Sequence, residues 1–170
     1  MKIFLIGMMG CGKSIIGTKL SEITNIPCFD IDSIIESNEN MSINDIFSYH
    51  GEEYFRKIEG IRLKSINNNA VVACGGGIII DPLNREYKKK NGLTIYLKTS
   101  LSTLELRLKG QDNRPLIDTK YIVGPLSEIY DYRKKFYEDS SDLIIETDNK
   151  SIDNICTIIL DQLKNEKYLS

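Results

Sequence analysis

The sequence predicts an α/β fold with a parallel sheet, and three observations predict it. Short apolar runs alternate with helical patterns along the 170 residues. The segments between the runs are each long enough to hold a helix. A glycine-rich octet follows the first run directly. Such alternation implies right-handed crossovers between parallel strands.

Strands are predicted at 2–6, 27–30, 70–74, 94–97 and 143–146, each a short apolar or β-branched run. After the octet, Ile15, Ile16, Leu20 and Ile23 recur at helical spacing over 14–23. Further helices are expected at 43–49, 52–66, 101–109, 125–138 and 152–163, with His50-Gly51 marking a helix end. Pro125 suits a first helical position, and Ser100 and Ser151 are candidate caps. Residues 110–123 are polar, broken by Pro115 and without clear period. A connection of that length predicts a mobile lid.

Length and an apolar fraction of 41% predict one compact domain over 1–170. A net charge of −2 argues against a general nucleic-acid or membrane-surface binder. Cys11, Cys28, Cys74 and Cys156 are irregularly spaced with no C-x-x-C pair, so neither a zinc site nor a disulfide scaffold is expected. Free thiols, no signal-peptide core and no membrane-length apolar stretch predict a soluble cytoplasmic protein. No heptad seam is visible, so a monomer is the default expectation.

The octet is Gly7-Met8-Met9-Gly10-Cys11-Gly12-Lys13-Ser14, the pattern G-x-x-x-x-G-K-[ST] between a strand and a helix. Its glycines let backbone N–H groups converge on phosphate oxygens at the positive end of the following helix. Lys13 would reach the β- and γ-phosphates and the Ser14 hydroxyl would ligate Mg²⁺. ATP and Mg²⁺ are therefore the expected cofactors. Gly10, Cys11, Gly12, Lys13, Ser14 and Ile15 are the nucleotide-binding candidates.

An ordinary enzyme with this loop has a Walker-B strand that ends in Asp, yet Val71-Val72-Ala73-Cys74 runs into Gly75-Gly76-Gly77. The metal-side carboxylate is then expected from Asp30-Ile31-Asp32. Alternation along an extended chain would send both acids to the same side. One would act on the metal, Asp30, and one on a substrate hydroxyl, Asp32. The competing reading makes Asp32 only the cap of a helix beginning at Ser33.

The octet, Asp30-x-Asp32, Phe55-Arg56-x-x-Glu59, Gly75-Gly76-Gly77, Asn113-Arg114-Pro115-Leu116 and Arg133-x-x-x-Tyr137 occur in an order that resembles the shikimate kinases. The resemblance covers nearly the whole chain. It implies a three-layer α/β/α P-loop kinase fold with a five-stranded parallel sheet and a mobile lid. It also implies Mg²⁺-dependent transfer of the ATP γ-phosphoryl to the 3-hydroxyl of shikimate, on the way to chorismate and the aromatic amino acids.

Residue by residue, the resemblance puts Asp32, Arg56, Gly75, Gly76, Gly77 and Arg133 around shikimate, within a substrate region at about 32–60 and the segments beyond. It makes Lys13, Asp32 and Arg114 catalytic, with Arg114 folding over the phosphates from the lid. Arg107 would contact ATP from the lid's base, and Lys150 stands where the family often has an adenine-side Arg. A carboxylate with three hydroxyls does call for guanidinium groups and unobstructed backbone donors. The bland alternatives stay open. Arg56 has Glu52 at i−4 and Glu59 at i+3, a surface helix pair. Arg133 starts a basic run, Arg107 could face solvent, Tyr137 reads as packing, and the glycines could be a turn. Two rival functions remain as well. One is another small-molecule P-loop kinase, for gluconate or a nucleoside monophosphate, and the other is a nucleotide-binding regulator without turnover.

Overall fold

The computed structural model describes residues 2–66, 69–109 and 125–165. Five parallel strands form one sheet: β1 (Lys2–Ile6), β2 (Cys28–Asp30), β3 (Ala70–Ala73), β4 (Gly92–Lys98) and β5 (Leu143–Glu146), in the order β2-β3-β1-β4-β5. β1 lies at the centre, with Leu5 level with Ala73 on one side and Ile95 on the other. Every residue of β1 and β3 is buried, as expected of strands covered on both faces.

The helices are α1 (Lys13–Thr24), α2 (Ile31–Glu39), α3 (Ile43–Ser65), α4 (Pro82–Asn91), α5 (Leu101–Lys109), α6 (Leu126–Asp139) and α7 (Ile152–Asn165). Gly17 of α1 sits over Leu5 and Val71, whereas Tyr87 of α4 meets the ring of Phe4. Phe4 and Leu5 are consecutive in β1 and point to opposite faces, so α1 and α4 cover opposite sides of the sheet. The result is the expected three-layer α/β/α arrangement. Among the described residues no helix is long and apolar enough to cross a membrane.

All five strands fall where the sequence placed them, within a residue or two at most boundaries. The break expected at His50-Gly51 is present too. α3 consists of two helical segments that meet in a kink at Gly51, whose φ of 80° and ψ of 171° are not helical. Ser100 and Ser151 accept hydrogen bonds from the N–H groups of Thr103 and Asn154, as helix caps do. Pro125 differs from its expected place: it is the N-cap of α6, and Leu126 is the first helical residue.

α4 lies outside the sequence expectation, and α2 entered it only as the competing helix at Ser33. α4 turns inward with Asn84 and Lys88, while its Leu83 is exposed. A buried face made of polar residues leaves no apolar period to detect. α2 begins directly at the end of β2, so the chain around Asp30 and Asp32 is not extended throughout. This corrects the alternation argument. Asp30 is the last strand residue and caps α2, its Oδ1 accepting from Ser33 N at 3.1 Å. Asp32 lies inside the first helical turn and is not the cap.

The closest approach in the sheet is at Gly92, which faces Lys2 in the β1–β4 register. A Cβ there would meet the Lys2 carbonyl, with the carbonyl carbon 2.9 Å away. Gly92→Ala must push the central strand pair apart, an overpacking that costs roughly 1–3 kcal/mol. Denaturant unfolding should show that loss, and wild-type stability in the variant would contradict this packing.

Candidate active site

The strand order places β1 and β3 side by side although their following connections leave in opposite directions, to β2 and to β4. The crevice beyond the carboxyl ends of such a pair is where ligands bind in open parallel sheets. The segment 7–12 leaves β1 there and the segment 74–81 leaves β3. A cleft of about 1050 Å³ opens at this point.

The first wall is the glycine-rich loop. Gly7, Gly10 and Gly12 have φ of 148°, 80° and 100°, values that side chains resist. Gly12 is the N-cap of α1 and supplies no side-chain cap, and no acid occupies the first turn. The first N–H groups of the helix are thus left for an anion. Lys13 Nζ donates to the carbonyls of Gly7 and Met8 at 3.0 Å each, which holds its ammonium over the loop. Gly10, Gly12, Lys13, Ser14 and Ile15 all line the cleft. Cys11 is placed differently. Its side chain is buried and its N–H donates to Met8 O, inside the loop itself.

The second wall is the start of α2. Ser14 Oγ donates to Asp30 Oδ2, so Asp30 joins the starts of α1 and α2 with its two oxygens. A hydroxyl and a carboxylate side by side are hard oxygen donors of the kind Mg²⁺ takes while keeping most of its water. Asp32, two residues on, lines the same cleft, and its Oδ1 has no hydrogen-bond partner among the described residues. Burial raises the pKa of its carboxyl and Asp30 adds repulsion, while Lys13 and Arg56 pull the other way.

The third wall joins α3, α6 and the glycines after β3. Arg56 donates to Glu59 at 2.9 Å and to Glu52 at 3.1 Å. The helix pair that the spacing suggested therefore exists, but it is no surface feature. Glu59 is fully buried. Burial opposes the charge on Arg56, and the two carboxylates outweigh it and keep the guanidinium protonated. For Glu59 burial dominates over the ion pair, and its carboxyl is pushed up to about 7.

No Cβ fits at Gly75 or Gly77. The first would strike Glu59 Oε1 and come within 2.8 Å of Asp32 Oδ1, and the second would strike the Arg56 guanidinium. A Cβ at Gly76 would lie 3.6 Å from Arg133 Nη1. The glycines are thus bare backbone against which two acids and two arginines pack. Arg133 Nε is buried with no partner among the described residues, and so is Glu59 Oε1.

Arg107 does not line the cleft, but its Nη1 donates to Gly10 O at 3.3 Å, which ties α5 to the phosphate loop. Lys150 also lies away from the cleft lining, in the loop whose Asp148 accepts from Ser100 N. Arg114 and the lid expected at 110–123 lie outside the described residues. Sequence reasoning missed the burial of Glu59. Its signal was present, since Phe55, Ile58, Glu59 and Leu63 form one helical stripe in which a carboxylate holds a core position. The packing role read for Tyr137 is present in its buried stack on Tyr96, but the bond from its hydroxyl to Gly76 O was not foreseen.

A phosphate loop followed by an anion-lined cleft at the strand ends of a parallel sheet defines a P-loop phosphotransferase acting on a small molecule. Comparison with known proteins narrows the class. The shikimate kinase family model matches residues 9–164. The shikimate kinase of Dehalococcoides mccartyi is 39% identical over 99% of this chain and 96% of its own. That of Legionella pneumophila is 38% identical over 96% of this chain and 95% of its own. Among solved structures, the Acinetobacter baumannii shikimate kinase in complex with shikimate superposes with a TM-score of 0.91 at 30% identity, over 98% of this chain and 94% of that one. The chain belongs to the shikimate kinase family.

The raised Glu59 pKa sets a pH signature. Between its ordinary 4.5 and about 7 the folded protein holds a proton that the unfolded chain releases. That contribution is complete below 4.5 and is lost as pH rises through 7. Glu59→Gln cannot titrate, so its melting temperature relative to wild type should climb from pH 5 to pH 8. A difference that stays flat across that range would contradict the assignment.

Proposed function

We propose that the protein transfers the γ-phosphoryl group of ATP to the 3-hydroxyl of shikimate, giving shikimate 3-phosphate and ADP in the route to chorismate and the aromatic amino acids. One observation carries the reading. Asp32, Arg56 and Arg133 converge over the bare backbone of Gly75, Gly76 and Gly77 in the same cleft as the phosphate loop. The unpartnered Nε of Arg133 calls for an anion, and a carboxylate meets it with charge-assisted hydrogen bonds. Arg56 shares the work, and its neutralisation by Glu59 is partial because burial favours the protonated acid.

On the nucleotide side, Lys13 and the first N–H groups of α1 hold the phosphates. Ser14 and Asp30 would hold Mg²⁺, which when bound supplies charge neutralisation at the phosphoryl oxygens. Arg107 braces the loop through Gly10 O, and Arg114 is assigned to the lid over the phosphates. Lys150 is left as an adenine-side residue at the edge of the nucleotide site.

Asp32 orients the attacking hydroxyl. Its Oδ1 is enclosed and has no partner among the described residues, so it is the acceptor available to a substrate O–H. Whether it takes the proton early or late, a loose phosphoryl transfer depends first on position.

ADP release with Mg·ATP, measured with shikimate beside gluconate and nucleoside monophosphates, tests the proposal. Release that depends on shikimate supports it, and release with another acceptor alone overturns it. Asp32→Asn should lower turnover about 100-fold or more with ATP affinity unchanged within about twofold. Near-wild-type turnover would remove Asp32 from the mechanism.

A further inference from the structure

We infer that Tyr137 is a positioning residue of the acceptor site, holding the Gly76-Gly77 peptide and the neighbouring Arg133 in register; the inference rests on the proposed function. Tyr137 lies one turn past Arg133 on α6 and is wholly buried. Its ring stacks on Tyr96 of β4 with centroids 5.0 Å apart and planes 16° apart. Its hydroxyl donates to the Gly76 carbonyl at 2.5 Å and lies 3.7 Å from Met8 Sδ in the phosphate loop. A single oxygen therefore touches the acceptor glycines and the nucleotide loop from the helix that carries Arg133.

Packing alone does not account for that oxygen. Tyr96, the other half of the stack, also has a buried hydroxyl, and it bonds to nothing among the described residues. The Gly76-Gly77 segment has no side chains with which to fix itself, and glycine backbone is the least restrained of all. The peptide is trans, so its C=O and N–H point in opposite directions. Anchoring the Gly76 carbonyl on Tyr137 therefore turns the Gly77 N–H to the far side of the peptide. It also holds Gly76 beside Arg133, whose Nη1 would lie 3.6 Å from a Cβ at that position. A substrate read by this backbone and by Arg133 together is sensitive to the hydroxyl, although Tyr137 itself need not touch it.

The test compares Tyr137→Phe with Tyr96→Phe, both of which keep the ring stack. Steady-state KM for shikimate and for ATP, kcat and melting temperature are measured for each. Tyr137→Phe is expected to raise the KM for shikimate about tenfold or more, with the KM for ATP unchanged within about twofold, since it leaves a buried carbonyl unpaired. Tyr96→Phe should leave both constants within about twofold of wild type. A merely structural Tyr137 would lower the melting temperature and shift both KM values together, and that pattern overturns the inference. So does a Tyr137→Phe enzyme with wild-type KM for shikimate. Wild-type protein without shikimate-dependent turnover would overturn the proposed function, and this inference with it.

Discussion

Charged side chains packed against backbone without side chains are the constraint on which the site depends. Glu59, Asp32 and Arg56 occupy the volume that Cβ atoms at Gly75 and Gly77 would fill. Ionised groups this enclosed are costly unless partnered, and here the partnering is incomplete. Arg56 has two carboxylates, yet Arg133 Nε, Asp32 Oδ1 and Glu59 Oε1 have no hydrogen bond among the described residues. A fold that bears such deficits in one place is arranged for a ligand with complementary groups. A small anion with hydroxyls answers them, its carboxylate for the arginines and its O–H groups for Asp32.

The sheet makes this arrangement possible by bringing distant parts of the chain to one crevice. The phosphate loop leaves β1, the glycines leave β3, and the two strands are neighbours in the sheet, with Leu5 paired with Ala73. α3 delivers Arg56 and Glu59 from one side, and α6 delivers Arg133 and Tyr137 from the other. Behind the glycines, Arg85 of α4 donates to the carbonyls of Ile79 and Ile80 and lies 5.0 Å from the Phe136 ring of α6. The segment after β3 is thus fastened at both ends, at Gly76 by Tyr137 and at Ile79 and Ile80 by Arg85.

Local signals read well from the sequence and tertiary ones did not. The phosphate loop is legible because its glycines answer a backbone requirement, the positive φ at Gly7, Gly10 and Gly12. β1, β3 and the interior of β4 are legible because burial writes them as apolar runs. α4 is invisible because its inward face is Asn84 and Lys88. Asp30 and Asp32 were misassigned in geometry, since strand and helix meet at Asp30 without a turn, yet they still face one cleft. Tyr137 could be paired only by the fold. Spacing along α3 reveals the bond from Arg56 to Glu59, but nothing in the sequence joins Tyr137 to Gly76, 61 residues away.

The most direct test of the account is equilibrium binding of shikimate and of its uncharged methyl ester to the nucleotide-free protein, by titration calorimetry. Pairing of Arg56 and Arg133 with the carboxylate predicts that shikimate binds and that the ester binds roughly 100-fold more weakly. Equal affinity for the two would contradict it, because the arginines would then be holding something other than the acceptor's charge.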